Sequence, residues 1–131
     1  MSEPALSVVV ASVNGLPYLG ECLEALVERC PEAEVVVADS TDDPTRRFVR
    51  ERWPQVRLLS FDEPMAVPEL RAAGIAAARA PYVAVLEDHC VVHDGWAATV
   101  LEAHRADHPV VGGPVRNGAT ARIRDWAAFL C

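Results

Sequence analysis

Two carboxylates and an imidazole stand in a row, Glu87-Asp88-His89, directly after the apolar run YVAVL. Charge at the end of a buried segment is costly unless it is paired, and a divalent cation would pair it. In an extended chain residues i and i+2 face the same way, so Glu87 and His89 can approach one ion while Asp88 points elsewhere. Carboxylate oxygen with imidazole nitrogen suits Mn²⁺ or Mg²⁺ with a phosphate completing the shell, and the nitrogen favours Mn²⁺. The plain alternative is that the three residues cap the next helix or form a surface ion-pair cluster. The stretch His89-Cys90-x-x-His93-Asp94 also carries zinc-type ligands. A structural zinc site uses two separated pairs, however, and only His104 and His108 stand elsewhere to supply the second.

Such a cluster needs a frame to position it. Residues 5–11 (ALSVVVA), 34–38 (EVVVA), 56–60 (VRLLS) and 82–86 (YVAVL) are short apolar runs of the kind buried in a parallel sheet, and Val110-Val111 predicts a short fifth strand. Leu16, Leu19, Leu23, Leu26, Val27 and Cys30 recur at helical spacing between Pro17, which suits a first helical position, and the breaker Pro31. Asp43 before Pro44 predicts a capped helix through Trp53. Residues 68–79 form an alanine-rich helix in which Gly74 lets helix and sheet approach closely; Asp94 predicts the cap of a helix over 95–105, and residues 124–131 begin another. Strands alternating with helices imply right-handed βαβ units, hence one α/β domain over residues 1–131: a three-layer α/β/α sandwich with a mostly parallel, Rossmann-like sheet. Ligands bind such sheets beyond the carboxyl ends of the strands. Ser12 and Asn14 follow the first strand, Asp39 the second, and Glu87-Asp88-His89 the fourth.

Composition bounds the partners. The 131 residues are 51% hydrophobic and 24% charged, ordinary for a globular domain. All 12 basic residues are arginine, and against 19 carboxylates they leave a net charge of −7, which disfavours nucleic acid and polybasic membrane contacts. No apolar run reaches the roughly 20 residues of a membrane helix, and the N-terminus lacks the basic start of a signal peptide, so the expected location is cytoplasmic. Cys22, Cys30, Cys90 and Cys131 are expected as reduced thiols, Cys22 and Cys30 lying about 12 Å apart along one helix. Trp126, Phe129 and Leu130 predict an apolar helix face open to a partner or to a homo-oligomer.

Three segments, SVVVASVNG, EVVVADSTDD and LRAAGIAAARAPYVAVLEDH, occur in an order that gives them a joint meaning. On them the chain resembles the family 2 glycosyltransferases of GT-A fold. The first is similar to the family's opening strand with its T-x-N turn, the second to its V-D-D-G-S-T-D signature, and the third to the A-R-N-x-G segment leading to D-x-D. The resemblance implies that Ser12 and Asn14 shape a nucleotide pocket, that Asp39 hydrogen-bonds the nucleobase, and that Arg71 lies near nucleotide or diphosphate. It places Glu87 at the first position of D-x-D and His89 at the metal-binding third, with Asp88 among the nucleotide-binding residues. It further implies inverting, metal-dependent transfer of a sugar from a nucleotide-diphosphate sugar, a UDP-sugar foremost, to a saccharide or other hydroxyl acceptor. The family's later E-D motif, which holds the general base, is not found, so the expected piece is the nucleotide-binding part, with Asp125 beside Trp126 as the late carboxylate available as base. Val13, Ala38 and Ala72 depart from the family pattern. Read from residue types alone, Asn14 also suits a turn, Asp39 a helix cap, and Arg71 a solvated partner of Glu69 or Asp62. A receiver-type module with Asp39 as phosphoacceptor is excluded by the missing lysine and missing acidic pair; a nucleotide-sugar-binding module without turnover is the remaining alternative.

Overall fold

The computed structural model describes residues 2–130. Four strands, β1 (Leu6–Ser12), β2 (Glu34–Asp39), β3 (Arg57–Ser60) and β4 (Tyr82–Glu87), pair in the order β3-β2-β1-β4, every pair parallel. β1 lies inside the sheet and is buried at every residue, which is why its sequence is a continuous rather than an alternating apolar run. Five helices complete the described chain: α1 (Tyr18–Arg29), α2 (Asp43–Arg52), α3 (Val67–Ala77), α4 (Trp96–Arg105) and α5 (Ile123–Leu130).

Alternation along the strands divides the core in two. On one face Val8, Val10, Val35 and Val37 pack with Leu19, Leu23 and Leu26 of α1 and Val49 of α2, and Trp96, Val100 and Leu101 of α4 join from the side. On the other face Ala11 and Ala38 meet Leu70 of α3. Small residues there bring α3 down onto the sheet. Gly74 lies directly against β1, and a Cβ at that position would stand 2.3 Å from Val9 Cγ1. The expected close contact between this glycine and the sheet is thus present.

Four local expectations need correction. Val110-Val111 forms no strand; the pair is too short to repay pairing between Pro109 and Gly112-Gly113-Pro114, Val110 is exposed, and the sheet ends at β4. The cap of α2 is Asp42, whose carboxylate accepts from Thr45 N at 2.8 Å, and Asp43 becomes the first helical residue. Asp94 does not cap α4: Gly95, at φ 75°, holds the N-cap, and the Asp94 carboxylate lies 3.2 Å from Arg29 Nε. Pro17 stands at the N-cap of α1 rather than inside it.

Cys22, Cys30 and Cys90 are free thiols, while Cys131 lies outside the described residues. Burial pushes the Cys22 thiol up to about 12, with Cys90 and Asp88 nearby adding to it, so this sulfur is an inert core group. Ile123, Trp126, Phe129 and Leu130 of α5 are exposed, as the sequence predicts for that face.

Candidate functional site

Parallel pairing brings three strand ends to one edge, with Ser12 opposite Asp39 and Ala11 opposite Glu87. At the β4 end, Glu87 Oε2 and His89 Nε2 are 3.2 Å apart with side chains 47% and 51% exposed, so both are together and within reach of a ligand. The pair meets as expected but by a different route. β4 ends at Glu87, and a turn closed by Cys90 N donating to the Glu87 carbonyl at 3.1 Å carries His89 back to Glu87, in place of the extended segment expected. Arg71 arrives from α3 and places Nη2 3.1 Å from Glu87 Oε1. It pairs with neither residue that spacing offered, because Glu69 Oε2 accepts from Ala66 N and Asp62 pairs with Arg46. Arg71 Nε is buried and has no hydrogen-bond partner in the protein.

Asp88 turns inward and is fully buried, with His89 Nδ1 3.4 Å from its Oδ1. Its Oδ2 accepts from the backbone N–H groups of Val13 at 2.9 Å, Asn14 at 2.7 Å and Gly15 at 3.3 Å, and its Oδ1 from Asn14 Nδ2 at 2.7 Å. Burial alone would push this carboxyl up, but hydrogen bonds from Asn14, Val13 and His89 together hold it below the ordinary carboxylate range.

Asp39 is also fully buried. Ser12 Oγ and Thr41 Oγ1 donate to its Oδ1 at 2.7 and 2.6 Å, and Thr41 N and Arg46 Nε donate to its Oδ2 at 3.2 and 2.9 Å. These four bonds use the whole accepting capacity of the carboxylate. Asp39 therefore caps no helix and presents no free oxygen in this conformation; it ties the end of β1 to α2. Arg46, which sequence reasoning missed, continues the network to Asp62 Oδ1 at 2.9 Å and to the Phe61 carbonyl at 2.6 Å. A signal was present: Arg46, Val49 and Trp53 stand at i, i+3 and i+7, which puts a guanidinium on the buried face of α2.

Glu87 and His89 form a two-donor set of the kind that suits a divalent cation whose other positions are filled by phosphate oxygens and water. Among the described residues no three His, Cys, Asp or Glu side chains converge as a metal-binding group, which removes the closed zinc arrangement of His89, Cys90, His93 and Asp94. Asp125 is not brought into the cluster. Its Oδ2 accepts from Arg122 N at 2.9 Å in the first turn of α5, and its described hydrogen bonds stay within residues 117–125.

The fold and this edge define a parallel α/β domain with its polar groups gathered where such sheets take ligands. The model for glycosyl transferase family 2 matches residues 7–128, and the chain belongs to that family. Polypeptide N-acetylgalactosaminyltransferase 12 of Mus musculus is 28% identical over 137 residues, covering 96% of this chain and 23% of that protein. Probable polypeptide N-acetylgalactosaminyltransferase 8 of Homo sapiens is 25% identical over 126 residues, covering 86% of this chain and 20% of that one. The chain thus spans a quarter or less of the length of these relatives. The crystal structure of S. aureus TarS 1-349 superposes with a TM-score of 0.66 at 21% identity, covering 76% of this chain and 33% of that one. A second crystal structure of S. aureus TarS gives 0.67 at 17% identity, covering 83% and 23%. These structures share the fold. No helix among the described residues is long and apolar enough to cross a membrane.

Proposed function

We propose that this chain is the donor-binding part of a glycosyltransferase, holding a nucleotide-diphosphate sugar, a UDP-sugar foremost, for inverting transfer to a saccharide or other hydroxyl acceptor. The observation that carries this reading is the placement of Glu87, His89 and Arg71 together at the carboxyl end of β4, in a chain that belongs to glycosyl transferase family 2. Glu87 and His89 would hold the cation. When bound, Mn²⁺ or Mg²⁺ supplies the positive charge that offsets a diphosphate leaving group. Arg71 adds a permanent cation and an unpaired buried N–H at the same place, which matters in a protein of net charge −7.

At the nucleobase end the residues divide by exposure. Asn14 and Val13 are exposed and available for contact, whereas Ser12 and Asp39 are buried and act on the pocket by fixing the turns after β1 and β2. The free buried thiols Cys22 and Cys30 suit a reducing compartment, and the cytoplasm is the proposed location.

Calorimetry with UDP, with Mn²⁺ and with EDTA, tests the reading. Binding is expected only with the metal. His89→Ala should weaken it at least about tenfold, since even the outer partners of a metal ligand are worth that much. Equal affinity in EDTA, or affinity unchanged in His89→Ala, would overturn it.

A further inference from the structure

Three successive N–H groups, from Val13, Asn14 and Gly15, converge on one point in the turn between β1 and α1, with Gly15 at φ 66°. Such a concave run of amides is an anion-binding nest. Here the anion comes from the chain itself: Asp88 Oδ2 fills the nest, and Asp88 Oδ1 takes the Asn14 side chain as well. The contact joins segments 73 to 75 residues apart. The nest is therefore closed to a phosphate, which leaves the edge at Glu87, His89 and Arg71 for the diphosphate.

We propose that Asp88 is a positioning residue that never touches the nucleotide. From inside the fold it holds the nucleobase-side turn at residues 13–15 in register with the phosphate-side pair formed by its own neighbours, Glu87 and His89. This deepens the donor-site reading above and rests on it. Three facts support the role. Asp88 is fully buried, so it has no surface to offer a ligand. Its neighbours Glu87 and His89 are half exposed, and His89 Nδ1 lies 3.4 Å from Asp88 Oδ1, so one short segment serves both ends of the cleft. And its partners are mainly backbone groups, so what it fixes is the path of the turn rather than one side chain.

The test compares wild type with Asp88→Gly, which empties the nest, and Asp88→Asn, which keeps the shape but turns a donor toward donors. Calorimetry with Mn²⁺ uses three probes: UDP, uridine and pyrophosphate. A turn that is ordered only on binding subtracts its ordering cost from affinity, so UDP and uridine should each weaken about tenfold or more in both variants. Pyrophosphate should lose clearly less than UDP and uridine, because Glu87 and Arg71 stay in place and His89 loses only its 3.4 Å contact with Asp88; a general loss of folding would not produce this split. Added formate, a carboxylate small enough to refill the nest, should restore UDP affinity to Asp88→Gly and do nothing for His89→Ala. Unchanged UDP and uridine affinity in either variant would overturn the proposal, as would equal loss on pyrophosphate without rescue. If wild type binds no UDP, the donor-site reading falls. Amide hydrogen exchange then decides the strut alone: Val13 and Asn14 should lose protection in Asp88→Asn, and retained protection sinks it.

Discussion

Replacing Asp39 by asparagine lowers the melting temperature of this domain by roughly 10 °C or more. The carboxylate accepts four hydrogen bonds, two from hydroxyls, one from a backbone amide and one from the Arg46 guanidinium. Asparagine can aim its NH₂ only at the two hydroxyls, which can turn to accept it, or at the two N–H groups, which cannot; in either orientation the charge that pairs with Arg46 is gone. Arg46 then keeps only Asp43 and Asp62 as charged partners, both with side chains 93% exposed, against a buried guanidinium. Removing one partner from a buried pair costs about 3–5 kcal/mol, because the other charge stays in a dry place. For a chain of this size, about 1 kcal/mol corresponds to roughly 3–5 °C. Nucleotide affinity should fall too, since the same network fixes the turns after β1 and β2. Arg46→Met in the Asp39→Asn background should recover part of the loss, because an apolar replacement removes the stranded charge. Thermal unfolding of wild type, Asp39→Asn and the double variant checks this; a melting temperature within about 2 °C of wild type for Asp39→Asn would return Asp39 to the role of an accessible ligand contact.

Gly74→Val has the second large effect. Any Cβ at this position would sit 2.3 Å from Val9 Cγ1 and 3.4 Å from Val9 Cβ. Val9 is fully buried on the interior strand β1 and, being β-branched, has little rotamer freedom to yield. The helix must lift instead. Overpacking of this kind costs about 1–3 kcal/mol, occasionally more, while glycine's poor helix propensity returns at most about 1 kcal/mol. Arg71 lies one turn earlier on α3, so lifting the helix also draws it from Glu87. Lower stability and weaker diphosphate binding should therefore appear together. Val9→Ala added to Gly74→Ala should restore much of the loss by removing the methyl group in the way. Denaturant unfolding of the single and double variants decides the matter; a Gly74→Val protein as stable as wild type would show that the close approach is not rigid.

The sequence carries the frame of this fold because the frame depends on local patterns. A continuous β-branched run reads as a strand buried on both faces, and the leucines of α1 repeat at helical spacing whatever they pack against. Glu87 and His89 do meet, but through the turn over residues 87–90 that ends β4, which period-2 geometry does not foresee. Errors arise where two neighbours offer the same chemistry. Asp42 and Asp43 are both carboxylates ahead of Pro44, and either can cap α2. Before α4, a left-handed glycine took the place expected for Asp94. The interior of the site was illegible for a different reason. Asp88 meets a turn 73 to 75 residues away, and Asp39 owes its burial to Arg46 and to both flanking strands. Nothing near Asp88 in sequence announces the distant turn, whereas Arg46, seven residues after Asp39, was marked by its place on the buried face of α2. Arg71 had three carboxylates within plausible reach, and only the fold chose Glu87.

The central claim is a place: metal and nucleotide meet at the carboxyl end of β4. Paramagnetic broadening by Mn²⁺ in the presence of UDP measures that place directly, by NMR of the amide signals. The strongest loss of signal should centre on Glu87 and His89 and reach Arg71 and Asn14. His104, which stacks on Tyr82 at 4.8 Å between ring centroids, marks the opposite end of the strand, about 16 Å away at the usual rise per residue, and should retain more of its signal. Broadening centred on His104 and His108 instead, or unaffected by UDP and by His89→Ala, would contradict the account.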